Sequence, residues 1–526
     1  MKLKQIIPLI AAIIIIGIAI TVLTGPKTPE TGDDNQGTPS TGGETPDSSG
    51  ETPDSGDTTD VTEPETDDDG CIEIPPGISR DYEIVQVEGS VNETIELSAG
   101  SIFGVTADQY SWSQRFADMT TLQYMSNHIL TINEPDNETA TVNVTYPGVY
   151  RIELEADDTT YEMELKVTTV GRPMEMGVNF IDLYGEIGGP EFNIYPDDPV
   201  CFQKALDHAL AGPVRVDSDW IGLISGGFYS QVDPPVMQDD DHYLCLSDEY
   251  FYGEFVDAAH ERGLKVMETF QQGPYLFFTP EQYDELADVQ QTHLWWDHWF
   301  DEWEKFIVRR CTMAERHGVD AVVLMMFAET SFNPDIYPEY ADRWVEIINS
   351  VREVYSGEVG LSFVNADERL TFIDDLDFIS ITYFGGLYTS RVGAIADVSN
   401  PTMEELLAIN RNMFEGIEYF WGNNSLIYIV ITFDSTDAMF STEDPEQRTA
   451  TDFNEQVLYY EAFFSTIGDQ PWVRGVFTER WDYFDEYRRF DPEQAYFDET
   501  NAASPRNKPA EDVVALWSQI YHSAAP

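Results

Sequence analysis

The feature that most constrains the fold is a regular alternation of apolar and amphipathic segments, which begins after Gly171 and continues almost to the end of the 526-residue chain. Short apolar segments predict β-strands, and the longer amphipathic segments between them predict helices. The eight predicted strands lie near residues 174–181, 214–224, 264–270, 321–327, 360–364, 378–383, 427–432 and 473–478. The clearest predicted helices span residues 248–262, 296–317, 338–355, 403–420, 453–467 and 510–521.

Eight β/α units within about 350 residues predict the α/β class and a (β/α)8 TIM barrel over residues 171–526. A doubly wound parallel sheet is the rival architecture. It is disfavoured because no glycine-rich phosphate turn follows any predicted strand, and the same absence excludes a nucleotide ligand. The sequence also lacks P-loop, HExxH and GxSxG motifs, so no cofactor and no metal centre is predicted.

Residues 71–170 have a different pattern, in which apolar and polar residues alternate in short runs separated by turn residues. This period of two predicts a small all-β antiparallel sandwich. The segment 146–154 resembles the late strands of immunoglobulin-like and PKD-type surface domains. Because no titratable cluster lies in this region, a spacer is favoured over a carbohydrate-contacting module.

Residues 1–24 predict a single-pass membrane anchor. An almost wholly apolar run from Ile6 to Thr24 follows Lys2 and Lys4, and it is long enough to cross a hydrocarbon core of about 30 Å. The basic flank predicts that the N-terminus stays on the inner side of the cell membrane and that the bulk of the chain is extracellular. A cleaved signal peptide is the alternative, and either interpretation predicts export.

The chain carries 96 Asp and Glu residues against 28 Lys and Arg, a net charge of −68. Part of this acid lies in residues 25–70, a Thr/Pro/Gly/Ser-rich segment that predicts a disordered stalk. The rest is spread over the folded part, which predicts a halophilic surface that stays hydrated in strong salt. Such a field repels polyanions and excludes nucleic acid as a partner. At residues 239–241 a solvated acidic loop is favoured over a calcium site.

Two further sequence features bear on export. Four Asn-X-Ser/Thr motifs agree with an extracellular location, at Asn92, Asn137, Asn143 and Asn423. The cysteines show no CxxC spacing, which disfavours zinc. A disulfide between Cys201 and Cys245 stays open, whereas Cys311 lies in a helical pattern and is expected in the core.

Three acidic residues follow predicted strands, and the carboxyl ends of the strands meet at one edge of a parallel barrel. Glu329 follows the fourth strand, Asp434 the seventh and Glu479 the eighth. Hydrolysis of a glycosidic bond needs one carboxyl group that protonates the leaving oxygen and a second that attacks or activates water. These three residues are therefore the candidate catalytic groups.

The same edge is predicted to carry aromatic side chains, whose flat rings suit the apolar faces of sugars. The candidate substrate-binding residues are Trp220, Trp295, Trp296, Tyr383, Trp481 and Asp482. Packing in the core is the alternative for each aromatic residue. It is favoured for Trp299 and Trp303, which are four residues apart on one predicted helix. The predicted partner is a polysaccharide.

Several motifs in residues 173–521 resemble the retaining clan of (β/α)8 glycoside hydrolases. They are Met-Gly-Val-Asn-Phe at 176–180, Trp-Trp-Asp-His-Trp-Phe at 295–300, Leu-Asp-Phe-Ile-Ser-Ile at 376–381 and Pro-Arg-Asn-Lys-Pro-Ala-Glu at 505–511. The chain is most similar to glycoside hydrolase family 113, and this resemblance implies endo-β-1,4-mannanase-like activity. It also implies that Glu329 is the acid/base group at the end of the fourth strand.

The resemblance breaks at the seventh strand. The family has its nucleophilic Glu there in a pattern similar to Ile-Thr-Glu-x-Gly, whereas this chain reads Ile-Thr-Phe-Asp-Ser at 431–435. An ungapped match places Phe433 at the nucleophile position, so either Asp434 or Glu479 is the second carboxylate. The leading hypothesis is a membrane-tethered glycoside hydrolase that cleaves a β-linked, mannan-like or β-glucan-like polysaccharide. The alternatives are a catalytically degenerate carbohydrate-binding surface protein and a structural surface-layer component.

Overall fold

The computed structural model describes residues 84–119, 121–180, 199–239, 249–273, 293–325, 340–363, 371–384, 400–421, 426–433, 451–479, 481 and 504–523. The predicted membrane anchor at 1–24 and the predicted stalk at 25–70 lie outside these residues. Among the helices within them, none combines the length and the hydropathy needed to cross a bilayer.

Residues 85–168 form two packed sheets and one short helix, α1 (Ala99–Phe103). The strands are β1 (Val85–Ser90), β2 (Thr94–Ser98), β3 (Tyr110–Arg115), β4 (Thr131–Asn133), β5 (Thr139–Asn143), β6 (Gly148–Ala156) and β7 (Thr159–Thr168). One sheet has the order β1-β7-β6-β3 and the other the order β2-β5-β4. The immunoglobulin-like resemblance of this sandwich stays a prediction.

The prediction that the sandwich is wholly antiparallel is wrong at one pair of strands. β1 and β7 run parallel, whereas the other pairs of the two sheets run antiparallel. The alternation of apolar and polar residues fixes which face of a strand is buried but not its direction relative to a neighbour. The sequence pattern therefore could not have shown this pairing.

Alternating side chains give the two sheets a shared core. Tyr150, Ile152 and Leu154 point from β6 into this core and are fully buried. Leu97 of β2 and Val142 of β5 pack into the same cluster from the opposite sheet. The sandwich therefore has a hydrophobic core of its own, separate from the larger core of the residues that follow it in the chain.

Eight further strands pair in parallel and close into a ring. They are β8 (Glu175–Phe180), β9 (Trp220–Gln231), β11 (Lys265–Gly273), β12 (Ala321–Val323), β13 (Glu358–Phe363), β14 (Phe378–Phe384), β15 (Ile427–Thr432) and β16 (Val473–Thr478). Closure is complete because β8 pairs with both β16 and β9. A hairpin strand, β10 (Val236–Asp239), adds antiparallel to β9 outside the ring. The predicted (β/α)8 barrel is confirmed.

Seven helices surround the ring within the described residues. They are α2 (Pro199–Arg215), α3 (Glu249–Glu261), α4 (His293–His317), α5 (Ala341–Val354), α6 (Met403–Phe420), α7 (Phe453–Ile467) and α8 (Pro509–His522), with a 3₁₀ turn at Ile373–Asp375. Local sequence explains where these helices begin. At the start of α6 the Thr402 side chain accepts a hydrogen bond from the Glu405 backbone N–H, and the Glu405 carboxylate accepts one from the Thr402 backbone N–H. The predicted second strand at 214–224 begins too early, because its first residues end α2.

An apolar cluster, which we call the plug, fills the interior of the barrel between the amino-terminal and carboxyl ends of its strands. Along each strand the side chains alternate between the interior and the surrounding helices. The plug consists of Trp220, Met267, Ala321, Val323, Phe378, Tyr428, Val430 and Phe477. Gly177 and Gly360 make room for it, because a Cβ at either position would overlap the ring of Phe477 or Phe378. The interior at this level is therefore packed and not a channel.

Charged side chains close the amino-terminal end of the barrel below the plug. Arg474 Nη1 lies 2.7 Å from Glu358 Oε2, and Arg474 Nε lies 3.0 Å from Glu175 Oε2. Lys265 Nζ lies 3.3 Å from Glu175 Oε1 and 4.7 Å from the centroid of the Trp220 ring. This ionic layer and the plug leave the carboxyl ends of the strands as the side of the barrel on which a site can form.

The sandwich is docked on the barrel through a buried acid on α7. The Tyr124 hydroxyl donates to Glu461 Oε1 at 2.8 Å, and the Asn127 backbone N–H donates to Glu461 Oε2 at 2.9 Å. Close by, the Phe453 N–H at the start of α7 donates to the carbonyl oxygen of Met119 at 3.0 Å. Glu461 is 1% exposed, so the contact belongs to the interior of the protein.

Glu461 is expected to make the stability of the protein depend on pH. Burial raises the pKa of its carboxyl from the ordinary 4.5 to about 7. The folded state then binds this proton more tightly than the unfolded chain does. The stabilisation of the folded state by this proton is therefore complete at low pH and is lost as the pH rises through about 7. At about 1.4 kcal/mol per pKa unit, wild type should lose about 3 kcal/mol of unfolding free energy relative to Glu461→Gln.

Urea unfolding of both proteins between about pH 4.5 and about pH 7.5 in constant salt measures this difference. The comparison with Glu461→Gln is needed because His128, whose burial lowers its pKa to about 4, acts in the opposite direction over part of the same range. That effect is common to the two proteins and cancels. A difference that is constant across the pH range would contradict a protonated Glu461 in the folded state.

Candidate active site

A polar arc lies above the apolar plug at the carboxyl ends of four neighbouring strands. We define it by Asn179 of β8, Thr382 of β14, Thr432 of β15 and Glu479, which directly follows β16. Each of these residues is an even number of positions beyond an inward-facing residue of its own strand, so each has the inward orientation. The arc thus places hydroxyl, amide and carboxyl groups on one side of the barrel mouth.

Glu479 is held at this mouth by the barrel's own hydrogen-bond ladder. Its backbone N–H donates to the carbonyl oxygen of Ile431 at 2.8 Å, so the pairing of β15 with β16 extends through Glu479. It stands two residues after Phe477, whose ring belongs to the plug. Its side chain is 2% exposed. Among the described residues at the carboxyl ends of the strands, it is the inward-facing titratable group.

The neighbours of Glu479 in the arc are neutral and polar. Strand register brings it level with Asn179 and Thr432, since each of them directly follows a residue paired with Thr478. Gly222 makes room for the Asn179 amide, because a Cβ at Gly222 would overlap Asn179 Oδ1. Hydroxyl and amide groups beside a carboxyl are suited to a polyhydroxylated ligand.

Two hydroxyl groups of the arc have unused hydrogen-bonding capacity. Thr382 is 1% exposed and Thr432 is 6% exposed, and neither hydroxyl has a hydrogen-bond partner among the described residues. Buried hydroxyl groups are normally paired with protein, water or ligand. The arc can therefore bind water or the hydroxyl group of a ligand without breaking a hydrogen bond to another described residue.

The predicted catalytic and binding residues are only partly within the described chain. Glu329, Asp434 and Asp482 lie outside it, so the structure describes no distance from Glu479 to either of the other candidate carboxylates. Cys245 also lies outside the described residues, and the proposed disulfide stays open. Within the described residues no group of three or more His, Cys, Asp or Glu side chains could hold a metal ion.

Phe433, which the sequence pattern predicts at the family's nucleophile position, faces away from the barrel mouth. Its ring packs at 5.9 Å from the ring of Tyr383 and at 5.0 Å from the ring of Tyr460 on α7. Its carbonyl oxygen accepts a hydrogen bond of 2.8 Å from Gln456 Nε2 on the same helix. Phe433 is therefore a packing residue between the barrel and α7.

The structure corrects the expected positions of two aromatic residues. Trp220 is the first residue of β9, so it lies in the plug beside Lys265, at the end of the barrel opposite the arc. Tyr383 has the outward orientation on β14. Its ring stacks on Phe463 of α7 at 6.1 Å, and burial raises the pKa of its hydroxyl well above the ordinary value. Neither ring lines the mouth.

The remaining predicted binding aromatics are packed among the outer helices, which is also a correction. Trp295 is 1% exposed and donates from Nε1 to the carbonyl oxygen of Val232 at 2.8 Å. Trp296 packs edge-on against it at 4.8 Å between ring centroids. Trp481 is fully buried, with Nε1 only 2.6 Å from where a Cβ on Gly212 would lie. A ring that stacks on a sugar needs an exposed face, and these rings have none.

The expectation that Trp299 and Trp303 are core residues is confirmed. Both are fully buried on α4, and their rings stack at 5.4 Å. Cys311, later on the same helix, is likewise buried and is not part of a disulfide. The helix that was expected to border the mouth therefore presents its aromatic side to the protein interior.

A buried ionic network behind the strand ends was not predicted. Glu268 of β11 is fully buried and faces the helices, where Arg310 Nη2 of α4 lies 2.6 Å from its Oε1. The Ser225 hydroxyl donates to the same oxygen at 2.6 Å, and the Tyr252 hydroxyl donates to Oε2 at 2.7 Å. The network fastens β9 and β11 to α3 and α4 below the barrel mouth.

Comparison with known families decides the identity of the barrel. The sequence profile of Glycoside Hydrolase Family 113 matches residues 216–499, which is more than half of the chain. The chain belongs to Glycoside Hydrolase Family 113. This confirms the family resemblance and the predicted enzyme class, a glycoside hydrolase. The match covers β9 to β16, so β8, α2 and α8 complete the family 113 barrel from outside the matched residues.

Solved structures similar to this family 113 protein include several glycoside hydrolases. A complex of a GH113 β-1,4-mannanase is 16% identical, with a TM-score of 0.46 over 66% of this chain and 99% of that chain. The GH113 β-mannanase AaManA from Alicyclobacillus acidocaldarius is 20% identical, with a TM-score of 0.45 over 67% and 98%. A β-glucuronidase from Ruminococcus gnavus is 11% identical, with a TM-score of 0.41 over 78% and 68%. A comparison with curated proteins finds no match.

Proposed function

We propose that this family 113 protein is an extracellular, membrane-tethered hydrolase that cleaves a neutral β-linked polysaccharide with a pair of carboxylates. The observation that carries the proposal is the position of Glu479. It faces inward at the carboxyl end of β16, above a closed plug and beside neutral hydrogen-bonding groups. An acid in this setting suits the cleavage of a bond between sugars.

The proposed roles of the carboxyl groups follow from the requirement of glycoside hydrolysis for two such groups. Glu329 is proposed as the proton donor, on the basis of its position in the family pattern. Glu479 is proposed as the second carboxylate because Phe433 faces the helices and leaves the family's nucleophile position without an acid. Asp434 is the second candidate, since it directly follows the family's nucleophile position in the sequence.

The stereochemistry of the product distinguishes two versions of the proposal. If Glu479 is a nucleophile, the two carboxyl groups have to lie about 5–5.5 Å apart and the anomeric configuration is retained. If Glu479 activates water, the separation is about 6.5–9.5 Å and the configuration is inverted. Family resemblance favours retention.

Charge and hydrogen bonding support a neutral polymer as the substrate. A net charge of −68 repels polyanions such as uronate-rich chains. The hydroxyls of Thr382 and Thr432, which have no hydrogen-bond partner among the described residues, suit the hydroxyl groups of a neutral sugar. The family resemblance makes β-1,4-mannan the first candidate and β-glucan the second.

The proposed cellular location rests on the sequence. The apolar residues 6–24 would hold the chain in the cell membrane, and the acidic residues 25–70 would keep the folded part away from the bilayer. Like-charged surfaces repel less when salt shortens the screening length, so activity is proposed to be highest in strong salt.

An assay of the full chain in mild detergent and high salt tests the proposed function. New reducing ends are expected from β-1,4-mannan or a neutral β-glucan and not from polymannuronate, a β-1,4-linked uronate polymer that serves as the acidic control. Proton NMR of the first product then assigns retention or inversion. Tight binding of the neutral polymers without release of reducing ends would instead support a carbohydrate-binding protein with a degenerate site.

A further inference from the structure

We infer that the outer face of the three-stranded sheet β2-β5-β4 carries N-linked glycans attached to Asn92, Asn137 and Asn143. The inference rests on the export of the chain in the proposed function. It concerns a part of the protein that catalysis does not use, so the glycans can be absent while export and hydrolysis stand, and hydrolysis can fail while the glycans are present.

The three asparagines share an acceptor sequence. Each is followed two positions later by a threonine, and the residue between them is not a proline. The three threonines are Thr94, Thr139 and Thr145. Three of the four motifs of this kind in the chain, all but the one at Asn423, therefore fall on one sheet or in the turns beside it.

All three side chains are exposed and stand where a transferase can reach them. Asn92 lies in the turn between β1 and β2 with a φ of 63°, a left-handed conformation that asparagine tolerates. Asn137 lies in the turn between β4 and β5, and Asn143 ends β5. Because Thr94 pairs with Asn143 across the sheet, Asn92 and Asn143 share one end of it and Asn137 marks the other.

The face between these positions has almost no charge. Its outward side chains are Thr94, Glu96, Ser98, Thr131, Asn133, Thr139, Thr141 and Asn143. Glu96 is the single charged residue of this set, although charged residues make up 24% of the chain. The outer face of the other sheet differs, since Arg115 there pairs with Glu162 at 2.6 Å and with Glu153 at 3.8 Å.

A glycan would supply the hydration that this face does not obtain from charge. Elsewhere the protein is kept in solution by carboxylates, and a flat neutral sheet face without them is a site for association between molecules. Sugar chains at both ends of the face would cover it with hydroxyl groups and keep neighbouring molecules apart. The positions of the three motifs match this requirement.

The proposed modification is a glycosyl transfer from a lipid-linked sugar phosphate or pyrophosphate. The asparagine Nδ2 forms a bond to the anomeric carbon of the sugar, and the bond from that carbon to the phosphate oxygen breaks. The phosphate leaves with the bonding electron pair, and the amide nitrogen loses one proton. The side-chain oxygen of Asn143, which accepts a 2.9 Å hydrogen bond from the Thr94 hydroxyl, is not consumed in this step.

Peptide mass spectrometry of the full chain isolated from its own cells tests the inference. Sugar mass is expected on the peptides that contain Asn92, Asn137 and Asn143. Asn133 is the internal control, because it lies on the same face but is followed by Glu134 and Pro135 and should stay unmodified. Unmodified asparagines at all three motifs in protein that proteases reach on intact cells would overturn the glycan inference alone.

Two variants of one acceptor motif separate recognition from exposure. Thr139→Val removes the hydroxyl and should abolish the sugar on Asn137, whereas Thr139→Ser keeps the hydroxyl and should retain it. Modification at Asn92 and Asn143 should be the same in both variants. Equal modification of Asn137 in the two variants would refute an acceptor motif there, and an unmodified chain found inside the cell would overturn both the glycans and the proposed export.

Discussion

Glu479→Gln is expected to lower kcat for hydrolysis of the neutral polysaccharide by about 10²–10⁴-fold, with little change in melting temperature. The amide keeps the shape of the side chain, but it can neither attack the anomeric carbon nor accept a proton from water. The backbone hydrogen bond to Ile431 is unaffected by the substitution. Initial rates from reducing-end release at saturating substrate measure the effect.

Glu175→Gln is the matched control, because it makes the same change at the opposite end of the same barrel interior. It is expected to keep wild-type kcat, since the apolar plug separates it from the arc. Glu329→Gln should match the loss in Glu479→Gln, and Asp434→Asn should lose little. If Asp434→Asn is inactive and Glu479→Gln is not, the second carboxylate is Asp434. Activity in all three variants would contradict the carboxylate mechanism.

Arg310→Met is expected to destabilise the protein by about 3–5 kcal/mol, because it leaves the Glu268 carboxylate buried without its cation. Both side chains are almost fully buried, so water cannot replace the lost partner. Methionine fills much of the space of the arginine stem, which limits the cavity that the change creates. The midpoint of urea unfolding in constant salt measures the loss.

The double variant Glu268→Leu/Arg310→Met is the control for this prediction. Removing both charges takes away the unpaired acid, so the double variant should recover most of the stability lost in Arg310→Met. The Ser225 and Tyr252 hydroxyls lose an acceptor in the double variant, and a residual loss of about 1–2 kcal/mol is expected from them. A single variant as stable as wild type would show that the network contributes little.

The sequence was sufficient to predict the barrel because each strand is a short apolar run between amphipathic helices. It was not sufficient to predict which residues of a strand face inward. On β14 the inward set contains Ser380 and Thr382 and the outward set Ile379 and Tyr383, so the more apolar side faces the helices. Tyr383, a large aromatic residue near the end of β14, was expected to line the mouth, but its ring packs outward against α7.

Errors in strand limits also moved predicted site residues. The expected strand at 214–224 placed Trp220 near its carboxyl end, whereas β9 starts at Trp220 and runs to Gln231. Six residues of shift carry a side chain from one end of the barrel to the other, because each residue advances a strand by about 3.3 Å. Glu268 was missed for another reason, since nothing in the sequence shows that Arg310, forty-two positions later, is its buried partner.

The docking of the sandwich limits how this enzyme can be shortened. Tyr124 and Asn127 satisfy Glu461 on α7, and Gln456 of the same helix holds the carbonyl group of Phe433 at the end of β15. A fragment that begins at the first barrel strand would strip one side of α7 and leave its acid without donors. We therefore expect the smallest fragment that folds on its own to start at β1, because the sandwich in front of the barrel supports α7, the helix that follows the seventh barrel strand.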